Sequence, residues 1–144
     1  MNPAVPALPA EQAATKEGAA ACASQVGVED MRPVDLIVCG TVAVNAAGAR
    51  IGKGGGYSDI EVALLTEAGL IGPGTVLATT VHDLQVLDDD LPESPHDFRV
   101  DVIVTPTRVI HCGQPSRPAG LYWDDLSAAR ITAIPALSAR SARR

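Results

Sequence analysis

One stretch of the chain decides the fold: residues 48–65 read GARIGKGGGYSDIEVALL. Ser58 and Glu61 stand three residues apart, as in a capping box, and apolar residues then recur at helical spacing up to Gly69. We therefore predict that a glycine loop ends at the N-terminus of a helix. Glycines let backbone N–H groups approach an anion, and a helix N-terminus adds positive potential. With the cations Arg50 and Lys53, this junction predicts an anion site; the alternative is a flexible surface turn.

Two standard nucleotide-binding templates do not fit the glycine loop. A Walker loop needs Gly-Lys followed directly by Ser or Thr, whereas Gly54 follows Lys53. The dinucleotide pattern Gly-x-Gly-x-x-Gly matches only loosely among so many glycines. The loop alone therefore indicates an anion without specifying which one.

The strands around the loop are predicted from short runs rich in branched apolar residues. Residues 34–39 read VDLIVC between Pro33 and Gly40, which favours a buried strand, and residues 41–45 continue it or form a second one. Further strands are expected over 75–81 and 100–104, with a short edge strand over 109–112. The acidic stretch 83–101 contains Pro92 and Pro95 and predicts an exposed, irregular connection. A brief helix is expected around 123–130.

Composition bounds the kinds of protein that this chain can be. Its 144 residues fit one domain, and 17 acidic against 11 basic residues give a net charge of -6, which argues against nucleic acid as a partner. The three cysteines lack the spacing of a zinc site. The sequence also lacks an apolar run of about 18 residues and a secretory leader pattern, so we expect a soluble, cytoplasmic protein without a membrane partner.

The chain divides into three parts by composition. Residues 1–33 are rich in alanine and proline and predict a weakly ordered arm or a peripheral helix between Glu11 and Ala23. Residues 34–135 carry the strand and helix patterns and form the body of the domain. Residues 136–144 contain three arginines and predict a solvated basic tail.

Two aspartates raise the question of a metal. Asp59 falls at the predicted helix start, where a carboxylate also interacts favourably with the helix dipole. Asp101 lies inside an apolar strand, where a charge needs a partner. Magnesium that carries ATP is usually bound by one or two carboxylates together with phosphates and waters, which suits this pair. Capping and salt-bridge roles are the alternative for both.

Three motifs together resemble the C-terminal half of the 5-formyltetrahydrofolate cyclo-ligase family, also called methenyltetrahydrofolate synthetase. They read GARIGKGGGYSDIE (48–61), TTVHDLQVLDDDLPESPHDFRVDVIVTPTRVI (79–110) and GLYWDDL (120–126). More narrowly, they resemble the branch of methenyltetrahydrofolate synthetase domain-containing proteins. The resemblance runs from about Pro33 to Trp123 and into the tail. It implies a three-layer α/β/α domain with a mostly parallel sheet, which here lacks the family's N-terminal portion.

The resemblance also implies a reaction. Family enzymes use ATP and magnesium to convert 5-formyltetrahydrofolate into 5,10-methenyltetrahydrofolate in one-carbon metabolism: ATP phosphorylates the formyl oxygen, the second folate nitrogen attacks the activated carbon, and phosphate leaves. Carried over to this chain, Arg50 and Lys53 would be catalytic, and Asp59 and Asp101 would hold magnesium. The cofactor-binding residues would be Arg50, Ile51, Gly52, Lys53, Gly54, Gly55, Gly56, Tyr57 and Ser58.

Two departures from the family pattern keep other interpretations open. The family loop commonly ends Tyr-Tyr-Asp, whereas this chain has Ser58 between Tyr57 and Asp59. Residues 1–33 also lack the spaced basic residues with which the family contacts ATP, since Lys16 and Arg32 are isolated. The alternatives are a non-catalytic nucleotide- or folate-binding paralogue, or an inactive fragment of the same family.

Overall fold

A computed structural model describes residues 8–113 and 116–144 of the chain. Backbone contacts divide the chain into two units, Met1–Asp30 and Met31–Arg144. The described part of the first unit contains helices α1 (Ala10–Ala13) and α2 (Lys16–Cys22) and a 3-10 turn at Val28–Asp30. None of these three elements buries a residue. Their alanines offer little apolar surface to bury.

The helix predicted between Glu11 and Ala23 is two short helices instead. Thr15 is the N-cap of α2, and its hydroxyl accepts a hydrogen bond from the Gly18 backbone N–H at 3.0 Å. The same hydroxyl donates to the Gln12 carbonyl at 2.8 Å. A threonine that binds nearby backbone groups competes with helical hydrogen bonding, which explains the break.

The second unit carries a mixed α/β fold. Its elements in chain order are β1 (Leu36–Cys39), β2 (Ala43–Asn45), β3 (Arg50–Ile51), α3 (Tyr57–Glu67), β4 (Val76–Thr80), β5 (Val86–Leu87), β6 (Val102–Val104), β7 (Val109–His111), α4 (Ala128–Ala133) and α5 (Pro135–Ser141). Short 3-10 turns lie at Asp83–Gln85 and Trp123–Asp125. Among the helices of the described ranges, none has the length and apolar character that crossing a membrane requires.

The central sheet has four strands in the order β1-β4-β6-β7. Strand β4 pairs in parallel with both β1 and β6, and β7 closes the sheet antiparallel to β6. Leu77 and Ile103 on the middle strands are fully buried, as are Val44 and Val100 nearby. This arrangement confirms the prediction of an α/β fold with a mostly parallel sheet. It also leaves the carboxyl ends of β1 and β4 at one edge, where α/β proteins usually bind ligands.

A second, smaller sheet has the order β3-β2-β5. Strand β2 runs antiparallel to β3 and parallel to β5, so residues 41–45 provide a separate strand after β1 rather than its continuation. In this sheet Val44 pairs with Arg50, which places the start of the glycine loop beside β2. Strands of two residues such as β3 and β5 carry too little pattern for sequence analysis to find.

The predicted capping box at Ser58 and Glu61 is wrong. Helix α3 begins at Tyr57, so Ser58 lies inside its first turn, and the N-cap is Gly56 with no side-chain hydrogen bond to the helix. Gly56 has a φ of 62°, a left-handed conformation that turns the chain into the helix before Ser58 is reached. The first turn of α3 therefore keeps its backbone N–H groups free of a side-chain cap.

The basic tail predicted over 136–144 differs from the structure, because α5 runs across its boundary. Leu137 in α5 is fully buried, and Arg140 donates from Nε to the Glu67 carboxylate at 2.7 Å. The same carboxylate accepts hydrogen bonds from the Leu121 backbone N–H and the Trp123 indole N–H, both at 3.2 Å. Glu67, at the end of α3, thus anchors the C-terminal segment to the domain.

Candidate functional site

The glycine loop joins β3 to α3 with a backbone that requires glycine. Gly54 and Gly56 have φ values of 84° and 62°, which side-chain-bearing residues rarely adopt. The backbone N–H groups of residues 52–56 donate no hydrogen bond to any residue that the structure describes. Together with the uncapped first turn of α3, they form a set of free donors at a helix N-terminus. Such a set can bind a phosphate or another anion.

A cavity of about 670 Å³ opens beside this loop. Its other walls are residues 40–42 after β1, together with Thr80 at the end of β4 and Gln85. The Gln85 side chain donates to the backbone carbonyls of Thr41 and Val42 at 3.1 and 3.0 Å, which fixes that wall. The cavity lies at the carboxyl edge of the parallel strands and has the volume of a typical small-molecule site.

The two cations predicted for the loop have different surroundings. Lys53 lines the cavity, is exposed, and forms no ion pair with any described residue. The Arg50 side chain is only 3% exposed, and its Nη2 donates to Asp59 Oδ1 at 2.8 Å. The Arg50 guanidinium also lies 4.0 Å from the centre of the Phe98 ring. Lys53 is therefore free to meet a ligand, while Arg50, which also lines the cavity, is held by Asp59.

Of four other predicted cofactor residues, two line the cavity and two do not. The exposed Tyr57 side chain and Ser58 line the cavity with the loop. Ile51 is absent from the cavity wall; its backbone carbonyl accepts from the Val42 N–H at 2.8 Å and so closes the strand pair before the loop. Gly54 is also absent from the wall and serves the turn.

The structure does not bring Asp101 together with Asp59. Asp101 immediately precedes β6, and its carboxylate accepts from the Leu77 backbone N–H at 2.7 Å, near the start of β4. Arg117 also donates to it at 2.6 Å. Because the strands are parallel, Asp101 lies at the amino edge of the sheet, opposite the glycine loop. Its partner is Arg117, so Asp101 has the salt-bridge role that the sequence offered as the alternative to metal binding.

The fit to magnesium rests on Asp59 alone. No group of three or more histidine, cysteine, aspartate or glutamate side chains is placed for a metal within residues 8–113 and 116–144. Asp59 is the one carboxylate among the residues that line the loop cavity, and its side chain is 19% exposed. A single carboxylate suits a magnesium ion whose other ligands are phosphates and waters. The donor set therefore fits magnesium delivered with a nucleotide, not a dedicated metal cage.

Arg130 is a residue of this region that sequence analysis missed. It lies in α4, donates from Nη2 to the backbone carbonyl of Gly55, and places its guanidinium 5.5 Å from the centre of the Tyr57 ring. It also lines a second cavity of about 220 Å³, which shares Gly56 and Asp59 with the first. No local signal could reveal this contact, because the two residues are 75 positions apart.

Comparisons with known proteins agree with the resemblance read from the motifs. The profile of the 5-formyltetrahydrofolate cyclo-ligase family matches residues 6–106. The chain is 44% identical over 129 residues to the methenyltetrahydrofolate synthase domain-containing protein of Mus musculus, covering 86% of this chain and 34% of that protein. The Homo sapiens protein of the same name is 41% identical over 133 residues, covering 90% and 34%.

A more distant relative carries the name of the enzyme itself. The mitochondrial 5-formyltetrahydrofolate cyclo-ligase of Arabidopsis thaliana is 31% identical over 83 residues, covering 54% of this chain and 29% of that protein. The chain spans about a third of the length of the curated relatives that it matches. It belongs to the 5-formyltetrahydrofolate cyclo-ligase family. The family match begins at residue 6 and so includes most of the arm that the motif resemblance left out.

Proposed function

We propose that this chain binds ATP at the glycine loop and converts 5-formyltetrahydrofolate into 5,10-methenyltetrahydrofolate. One observation carries the proposal: the backbone N–H groups of residues 52–56 have no partner among the described residues, and all of these residues but Gly54 line a cavity of about 670 Å³ beside the exposed Lys53 side chain. Family membership supplies the substrate class, and the enzyme name of the Arabidopsis thaliana relative supports it.

The chemistry requires little beyond positioning and charge. Phosphoryl transfer is accelerated mainly by holding the phosphates in line and by neutralising the charge that develops on them. In this proposal the N–H groups of residues 52–56 bind phosphate oxygens, and Lys53 compensates their negative charge. Tyr57 borders the nucleotide and the folate. Magnesium, when bound, adds positive charge on the phosphates, and Asp59 is the residue of this chain that would hold it.

Arg50 has a positioning role in this proposal rather than direct contact with phosphate. Its guanidinium is engaged by Asp59 and covered by Phe98, so its charge is already balanced. It orients the Asp59 carboxylate at the first turn of α3. Asp101 is left out, because its carboxylate is held by Arg117 at the far edge of the sheet.

A turnover assay tests the proposal. Purified chain is mixed with ATP, magnesium and 5-formyltetrahydrofolate, and methenyl product is followed by its absorbance. Lys53→Ala should weaken ATP binding about tenfold, because a charge-assisted hydrogen bond is lost. Lys16→Ala, which removes an exposed lysine of the first unit, is the matched control. The proposal fails if wild-type chain neither binds ATP nor forms product, or if both variants bind ATP equally well.

A non-catalytic binding module is the second candidate. The relatives that match with 41–44% identity are named as domain-containing proteins and not as enzymes. Ser58 also replaces the second tyrosine that the family loop commonly carries. Calorimetric titration with ATP and with 5-formyltetrahydrofolate separates the two candidates, since binding without turnover supports the module. A cooperative thermal melt excludes a third case, a fragment that does not fold alone.

A further inference from the structure

Arg130 contacts the end of the glycine loop at Gly55 and Tyr57. Its Nη2 donates to the Gly55 carbonyl, and its guanidinium carbon lies 5.5 Å from the Tyr57 ring centre. A Cβ atom added to Gly56 would lie 3.2 Å from the same Nη2. Arg130 follows the Ser127 cap of α4, whose hydroxyl accepts from the Arg130 backbone N–H at 3.2 Å. The guanidinium is therefore presented to the loop from a capped helix.

The contact with the Gly55 carbonyl has a geometric consequence for the next residue. In a trans peptide unit the C=O of one residue and the N–H of the next point in opposite directions, and no cis peptide bond occurs in the described chain. A guanidinium that holds the Gly55 carbonyl on one side of the loop therefore directs the Gly56 N–H to the other side. Arg130 lines the smaller cavity and not the larger one, whereas Gly56 lies between them and lines both.

The Gly55–Gly56 peptide unit can flip, which exchanges the directions of its C=O and N–H groups, unless another group holds it. Gly55 and Gly56 lack the side chains that would restrict their backbone angles, and neither N–H is paired with a described residue. If the unit reversed, a carbonyl dipole would replace an N–H group on the side where an anion binds. A fixed N–H donor binds an anion more tightly than a mobile one, because a preorganised site does not have to reorganise when the ligand binds.

We propose that Arg130 is a positioning residue that fixes the Gly55–Gly56 peptide, so that the Gly56 N–H faces the phosphate in the loop cavity. This inference rests on the proposed nucleotide site and adds a residue beyond the family-matched range, which ends at residue 106. Arg130 acts through the loop backbone and does not touch the nucleotide. Tyr57 supports it by covering the guanidinium on one face, an arrangement of the cation–π kind.

Two variants separate positioning from simple charge. Arg130→Gln removes the cation, and Arg130→Lys keeps the charge but loses the planar fork that meets a carbonyl. Both should weaken ATP binding about tenfold, the loss expected for one charge-assisted hydrogen bond. Arg32→Gln removes an exposed arginine that lies outside both cavities and should bind ATP as wild type does. Retention of wild-type affinity by Arg130→Lys would overturn the positioning role.

A measurement without nucleotide keeps this test independent of the proposed function. In ligand-free chain, backbone NMR order parameters of Gly55 and Gly56 should fall from about 0.85 to below about 0.6 in Arg130→Gln, and stay high in Arg32→Gln. Unchanged order parameters with an intact melting curve would refute the inference even if wild type binds ATP. If the order parameters change but the chain binds no ATP, the role of Arg130 in fixing the Gly55–Gly56 peptide stands. The proposed nucleotide site is then wrong.

Discussion

Arg50 donates from Nη2 to the Asp59 carboxylate at 2.8 Å, which links the start of the glycine loop to the first turn of α3. The arginine side chain is 3% exposed and the aspartate side chain is 19% exposed. One of the two cations that mark the loop in the sequence thus holds the loop's own carboxylate. The other, Lys53, is left for a ligand. Arg50 therefore has a structural partner, whereas Lys53 is available to a ligand.

Removing the charge of Asp59 should destabilise the fold. Asp59→Asn leaves the buried Arg50 guanidinium without its counter-charge, which should lower the free energy of unfolding by about 2 to 4 kcal/mol. Urea denaturation measures the loss. Asp88→Asn, in the exposed acidic stretch, is the matched control and should change stability little. Equal stability of the two variants would show that the pair contributes nothing to the fold.

Asp101 should matter for stability and not for nucleotide binding. Asp101→Asn weakens two hydrogen bonds, from the Leu77 N–H and from Arg117, and should cost about 1 to 3 kcal/mol of unfolding free energy. The affinity for ATP with magnesium should stay unchanged, because the residue lies at the opposite edge of the sheet. A tenfold loss of ATP affinity in a fully folded variant would restore Asp101 to the metal site.

Gly56 should not tolerate a side chain. Gly56→Ala forces an alanine into a φ of 62° and sets its Cβ 3.2 Å from Arg130, so we expect a loss of about 1 to 2 kcal/mol in stability. ATP affinity should fall with it, because the loop N–H groups would shift. Gly74→Ala is the control, since a Cβ there meets nothing within 4 Å and no left-handed φ is required. Thermal melts and calorimetry should both separate the two variants.

The free energy of unfolding should depend on pH because of the Glu67 carboxylate. Burial opposes its ionisation, but hydrogen bonds from Arg140, the Leu121 N–H and the Trp123 indole outweigh burial and hold its pKa below the usual glutamate range. A carboxyl group whose pKa is lower in the folded state than in the unfolded state stabilises the fold. This contribution is complete above the unfolded pKa of about 4.3, and it is lost as the pH falls through the pKa of the folded state.

The test compares wild type with Glu67→Gln in urea at neutral and at acid pH. The variant should be less stable at neutral pH, and the difference should shrink as the pH falls below about 4. Glu11→Gln, an exposed residue of the first unit, should follow wild type at every pH. A gap between Glu67→Gln and wild type that stayed constant with pH would contradict the role given to ionised Glu67.

Residues 136–144 should contribute to the core. Leu137→Ala removes a fully buried side chain and should lower the free energy of unfolding by about 2 to 5 kcal/mol. Leu84→Ala offers a matched control, because Leu84 is 83% exposed. If both leucine variants melt at the wild-type temperature, the segment is the solvated tail that its arginines suggest.

Local patterns were enough to predict much of the fold. Strands β1, β4 and β6 coincide with the runs of branched apolar residues, and α3 follows the loop as its periodicity requires. The predicted start of α3 is two residues late, because a glycine in the left-handed conformation can end a loop without the polar side chain that marks a capped helix. The basic tail predicted over 136–144 did not include the burial of Leu137 or the ion pair of Arg140, because neither burial nor a distant partner can be read from composition.

The sequence by itself determined that a glycine loop meets a helix beside a mostly parallel sheet, because these features depend on neighbours along the chain. Only the tertiary structure decided which charges meet. It paired Arg50 with Asp59 and Arg117 with Asp101, and it brought Arg130 to Gly55 across 75 positions. Charged side chains have no periodicity that reports their partners, since a salt bridge depends on where strands and helices end in space.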